Sequence, residues 1–144
     1  MASTSRVVGN ASERDGRPPL ITSICAVTVG THVMARWVQF YAALGFSLRY
    51  GGPSASFSSF SAGSGCLNIT TEGSERDWSW WGRIIFHVAD VDLLYGRAVA
   101  AGLKPQAAPV DATWGERYFH ITDPDGHELS FAKRSAVSPG RSHG

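Results

Sequence analysis

The chain has 144 residues, 43% of them hydrophobic and 17% charged, with a formal net charge of +1. That length suits one domain with a substantial core. The near-neutral charge and the lack of a dense Lys/Arg run exclude an electrostatic grip on nucleic acid. No apolar stretch approaches the roughly 20 residues that a membrane span requires.

The chain opens on "MASTSRVVGNASERDGRPP", which is polar and has no hydrophobic segment of the secretory type. Residues 1–19 therefore read as a disordered tail, and so does "SAVSPGRSHG" at 135–144, which would leave His143 without a role. Two cysteines, Cys25 and Cys66, are too few for a disulfide framework. Both are expected as reduced, buried thiols in a cytoplasmic protein.

From residue 20 the pattern becomes regular. "LITSICAVTV" (20–29) alternates β-branched and polar residues and predicts a strand. "HVMARWVQFYAALGF" (32–46) places Val33, Trp37, Tyr41 and Leu44 near helical spacing, with Thr31 as N-cap and Gly45 as stop. "FSLRY", "SASFSSFSA" and "CLNITTE" then predict three short strands separated by Gly, Pro and Ser.

The plan repeats in the second half. "GRIIFHVA" (82–89) predicts a strand, and Asp90 should cap a helix over 91–103. Gly96 weakens that helix by about 1 kcal/mol relative to Ala, so burial of Leu94, Ala98 and Ala101 is expected to hold it. "KPQAAPV", "ERYFHITD" and "HELSFAK" predict three more strands, the last two joined by the tight turn Asp123-Pro124-Asp125-Gly126. Two strand–helix–three-strand halves imply an internal duplication. The fold class is α+β, with two βαβββ modules (20–71 and 82–134) in one domain over 20–134. They are expected to form curved mixed sheets around a groove, with the helices outside.

"FYAALGF", "IIFHVADVD" with a helix ending in "AAGL", and "WGERYFHITDPDGHELSF" together resemble the vicinal oxygen chelate superfamily. That superfamily includes glyoxalases, extradiol dioxygenases and bleomycin-binding resistance proteins. The resemblance covers about residues 20–134. It implies paired βαβββ modules, commonly in a homodimer, and one metal ligand on the first and last strand of each module. The matching positions here are Ile24, Asn68, Arg83 and Ser130. Ile24 offers no lone pair and Arg83 is a fixed cation with donors only. Divalent cations require carboxylate or imidazole donors at such positions, so no metal and no other cofactor is expected.

Strand alternation names the residues that would line the groove instead. With Arg83 inward, Ile85 and His87 follow; with Ser130 inward, Glu128 and Ala132 follow. Hairpin pairing sets His120 opposite Ser130. Arg83, His87, His120, Glu128 and Asn68 are therefore candidate polar contacts, with Cys66 on the groove side and Cys25 on the helix side. Each also has a structural reading: a hydrogen-bonded histidine within a sheet, an Arg83–Glu128 pair, a solvated glutamate. Trp78, Trp80 and Trp81 crowd the inter-module loop, and Trp114 lies in "ATWGERY". Trp81 and Trp114 are candidate walls for stacking on a planar ligand, or covers for a dimer interface.

No Gly-x-Ser-x-Gly motif and no recognisable Cys/His pair supplies a nucleophile. The favoured expectation is a cytoplasmic, homodimeric binding protein of the resistance type. It would hold a small planar or aromatic molecule, neutral or weakly anionic, through Arg83, His87, His120, Asn68, Ser130, Trp81 and Trp114. One alternative is a metal-dependent lyase, isomerase or dioxygenase with relocated ligands His87, His120 and Glu128. Another is a metal-free enzyme with His120 as general base.

Overall fold

One unit is used twice. The computed structural model describes residue 16 and residues 18–135, so the expected tails and His143 fall almost wholly outside the described residues. The first unit is β1 (Ala26–Thr31), α1 (Met34–Ala43), β2 (Ser47–Tyr50), β3 (Phe57–Ala62) and β4 (Gly65–Thr71). The second is β5 (Arg83–His87), α2 (Val91–Ala100), β6 (Val110–Asp111), β7 (Glu116–Thr122) and β8 (Glu128–Arg134). The strands form two four-stranded sheets, ordered β1-β4-β3-β2 and β5-β8-β7-β6. In each, the first and last strands of the unit pair in parallel and the remaining neighbours are antiparallel. The α+β fold of two βαβββ modules is therefore present, without a closed barrel. No helix among the described residues is long and apolar enough to cross a membrane.

Alternation divides each sheet into a core face and an open face. Val29, Phe60, Leu67 and Ile69 of the first sheet and Phe119, Ile121, Leu129 and Phe131 of the second all enter one hydrophobic core. Trp37 and Tyr41 of α1 are fully buried there, their rings stacked at 3.6 Å between centroids. Phe46 joins the halves, meeting Phe60 of the first at 5.9 Å and Phe86 and Phe131 of the second at 5.1 and 6.2 Å.

A polar clasp completes the junction. The Tyr41 hydroxyl donates to Asp123 Oδ2 at 2.8 Å, while Asp123 Oδ1 accepts the backbone N–H groups of Asp125 and His127 at 2.9 Å each. Burial raises the Asp123 carboxyl above its usual range and outweighs these bonds; burial likewise raises the Tyr41 phenol. Asp125 Oδ1 accepts from the His32 backbone at 3.4 Å and lies 3.7 Å from Arg36. The turn holding both aspartates closes at Gly126, whose φ of 95° suits glycine.

Several boundaries differ from the sequence expectation. β1 starts at Ala26, and residues 20–25 are exposed coil. Its parallel partner β4 begins at Gly65, so pairing ends at Ala26–Cys66 and the residues before it have little to bond. Cys25 is accordingly exposed rather than buried, and its carbonyl accepts the Cys66 N–H at 3.0 Å. α1 is shorter than 32–46, and Thr31 does not cap it: its hydroxyl accepts the Val33 N–H at 3.2 Å in a local turn. Gly45, at φ 98°, does stop the helix. α2 ends at Ala100, capped by Asp90, whose carboxylate accepts the Leu93 N–H at 3.0 Å. Ala101 is exposed, so Val91 and Ala98 supply the buried contacts. Of the strand expected over 104–110 only Val110 joins the ladder, beside one isolated bond from the Gln106 N–H to the His120 carbonyl at 2.9 Å; Pro105 and Pro109 have no N–H to donate.

Candidate functional site

The open face of the second sheet gathers most of the predicted polar residues. Register sets Arg83 beside Glu128, Ile85 beside Ser130 and His87 beside Ala132, with His120 opposite Ser130 across the hairpin. Alternation from His120 adds Tyr118 and Glu116 of β7 to the same face. The opposite parity confirms the division, since Arg117 reaches the helix side and holds Asp92 of α2 through two bonds of 2.9 Å.

Aromatic rings run along this open face. Trp114 stacks on Tyr118 at 6.0 Å and 19°, and Tyr118 meets His120 at 4.9 Å. Trp114 is 60% exposed and Ile85 60% exposed, so a broad apolar surface meets solvent. Around the rings the charges are paired. Arg83 lies 3.9 Å from Glu128, which also accepts from Gln106 at 3.2 Å. His87 Nε2 lies 3.2 Å from Glu116 Oε2, while the other oxygen of Glu116 accepts the Trp114 indole N–H at 3.1 Å.

His120 differs from its neighbours. Desolvation first, and then the Arg83 charge, lower its pKa from the ordinary imidazole value, against an opposing pull from Glu128. The charged form of the ring is therefore disfavoured. Its Nδ1 is buried with no partner among the described residues. Ser130, across the strand pair, is buried as well.

The remaining predicted residues lie elsewhere. Ile24 is in coil before β1 and 82% exposed. Asn68 is on the open face of the first sheet, where it donates to Thr28 Oγ1 at 3.4 Å. Asn68 thus belongs to the first sheet, whereas Arg83 and Ser130 belong to the second. Trp81 does not join Trp114 either. Its indole donates to His127 Nδ1 at 2.8 Å, and His127 Nε2 meets the Gly30 carbonyl at 2.8 Å. These bonds fix the tautomer of a buried histidine that ties the inter-module loop to β1. Cys25 and Cys66 both line one pocket on the first sheet.

The donors do not suit the metal that the superfamily commonly holds. Ile24 has no donor atom, Arg83 is a cation beside Glu128, and Ser130 and Asn68 are neutral. Among the described residues no group of three or more His, Cys, Asp and Glu side chains converges on a point. The relocated set fares no better, since His87 turns to Glu116 while Glu128 turns to Arg83 and Gln106.

Sequence reasoning missed Tyr118, Glu116 and His127. The first two follow from stepping back by two residues from His120. His127 carries no signal of its own, because its partners are 46 and 97 positions away.

The profile of the Glyoxalase/Bleomycin resistance protein/Dioxygenase superfamily matches residues 24–131. No curated protein matches the sequence at a significant level. Among solved structures, TioX from Micromonospora sp. ML1 is similar at TM-score 0.65 and 24% identity, over 78% of this chain and 99% of that one. The bleomycin resistance determinant encoded on transposon Tn5 is similar at 0.65 and 18%, over 81% and 100%. Lactoylglutathione lyase from Agrobacterium tumefaciens is similar at 0.65 and 15%, over 80% and 96%. At these identities the structures share the fold alone. The duplicated βαβββ architecture and a profile spanning well over half of the chain lead to one conclusion: this protein belongs to the glyoxalase/bleomycin resistance protein/dioxygenase superfamily.

Proposed function

We propose that the protein binds a small planar molecule on the open face of its second sheet, without a metal, and sequesters it in the cytoplasm as a resistance-type protein does. The ring series Trp114–Tyr118–His120 on an exposed face carries this reading. Flat rings stack there, while His120 and Ser130 supply a few hydrogen bonds, the usual make-up of a small-molecule site. Arg83 is offset by Glu128, so the ligand for this face is neutral rather than anionic. The bleomycin resistance determinant, alike in fold, supports a resistance-type role by analogy only.

A single chain leaves this face open on one side. We further propose a homodimer in which the first-sheet face of one copy covers the second-sheet face of the other. Tyr50, Phe57, Ile85 and Trp114, all exposed in one chain, would then be buried.

The lowered pKa of His120 and its unpartnered Nδ1 favour one second reading, a metal-free enzyme with His120 as general base. Calorimetric titration with a panel of neutral aromatic compounds tests the main proposal. Micromolar binding is expected, and Trp114→Ala should weaken it by about 1–3 kcal/mol through lost area and stacking. Absence of binding across the panel, or unchanged affinity in Trp114→Ala, would refute it; conversion of a bound compound would favour the enzymatic reading.

A further inference from the structure

Glu116 ties the open face of the second sheet together. It takes the first position of β7, opposite Arg134 on β8, and alternation puts it on one face with Tyr118 and His120. One carboxylate oxygen, Oε1, accepts the Trp114 indole N–H at 3.1 Å, and the other lies 3.2 Å from His87 Nε2. A carboxylate oxygen only accepts, so His87 carries a proton on Nε2.

The link from Glu116 to His87 crosses β8, which lies between β7 and β5. Ala132 is the β8 residue paired with both Tyr118 and His87. It lies on the open face and outside the hydrophobic core, yet it is only 1% exposed. A methyl side chain there leaves room for the longer side chains to meet above it, and their meeting covers it.

Trp114 has no comparable support of its own. It lies in the turn before β7, exposed, and among the described residues its one aromatic neighbour is Tyr118, at 6.0 Å and 19°. Stacking sets the plane of an indole but says little about its rotation within that plane. The N–H settles the rotation, because Trp has a single donor and Glu116 Oε1 accepts it. The turn itself is closed by backbone bonds, from the Ala112 N–H to the Glu116 carbonyl and from the Ser135 N–H to the Gly115 carbonyl, each at 2.7 Å. The Glu116 carboxylate therefore acts on the indole rather than on the turn.

We infer that Glu116 is the positioning residue for Trp114, with His87 as the far anchor of the brace. Its carboxylate holds the N–H edge of the indole and leaves the ring face as the wall for a planar molecule. With the N–H occupied, that wall offers an apolar surface and no donor, which suits an unsubstituted part of a neutral ring system. This role deepens the binding reading above and rests on it for the ligand, whereas the placement of Trp114 belongs to the ligand-free chain.

The ligand-free experiment is a proton–nitrogen correlation NMR spectrum of the full chain, which has five Trp residues. The Trp114 indole signal is assigned by its loss in Trp114→Phe. In Glu116→Ala its proton should move upfield and exchange faster with water while the other indole signals stay in place. Glu116→Gln keeps a carbonyl acceptor and should restore most of the shift. The second experiment titrates neutral 1-naphthamide calorimetrically. Glu116→Ala should weaken binding about fivefold, as loss of one hydrogen bond implies, and Glu116→Gln should stay within about twofold of the wild type. In a Trp114→Ala background, Glu116→Ala should have no further effect, because a positioning residue acts only through the residue it holds. An unmoved Trp114 signal in Glu116→Ala, a loss of affinity that Glu116→Gln does not rescue, or an effect of Glu116→Ala that persists without Trp114 would overturn the assignment. A wild-type chain that binds neither naphthamide nor any other neutral aromatic compound would refute the binding reading instead, and the indole spectrum would still decide what holds Trp114.

Discussion

His120 is the residue on which the proposed site turns, and its titration can be predicted with a sign. Its folded pKa is lowered by desolvation and then by Arg83. Below the ordinary imidazole value the unfolded chain binds a proton that the folded chain resists, so this group lowers stability as pH falls through about 6.5. Imidazole NMR should place His120 below the ordinary value. Arg83→Gln should move it up, and Glu128→Gln should move it further down, because Glu128 opposes the shift. An ordinary titration that responds to neither variant would contradict this electrostatic account. The opposition of His120 and Ser130 was legible in the sequence, since a tight turn at Asp123–Gly126 fixes hairpin register. The bulge in β2 was not legible: Leu48 pairs with Phe60 and Tyr50 with Ser59, leaving Arg49 as an extra residue that no residue pattern announces.

At the scale of elements, helix ends and turns were readable where one side chain or one glycine decides them. Asp90 caps α2, Gly45 ends α1 and Gly126 closes the last hairpin. Strand ends depend on what the partner does, and there the sequence was silent: β1 begins only where β4 does. Gly96 gives the clearest test at this scale. It lies inside α2, and a methyl group built on it meets nothing within 4 Å. Gly96→Ala should therefore stabilise the protein by about 1 kcal/mol, through helix propensity and reduced freedom of the unfolded chain. Urea unfolding measures it, and a destabilised variant would show that the glycine has a packing partner.

For the whole molecule, the duplication was legible because each half repeats one order of periodicities. Which faces meet was not. Alternation names the residues that share a face, as it did for Arg83, Ser130 and His120, but it cannot say whether Asn68 faces them in the same chain or from a second copy. The exposed rings and Ile85 favour the second copy. Sedimentation at micromolar concentration should give twice the chain mass, and Ile85→Lys should shift the population towards monomer by placing a charge in the interface. A wild-type monomer would remove the dimer while leaving the fold intact. The central claim is that planar molecules bind to this face without a metal. The most direct test is calorimetric titration of the tightest neutral panel compound into chelator-treated protein, repeated after adding one equivalent each of Zn²⁺, Ni²⁺, Mn²⁺ or Fe²⁺. The account predicts the same affinity throughout; binding that appears only once a divalent cation is restored would contradict it.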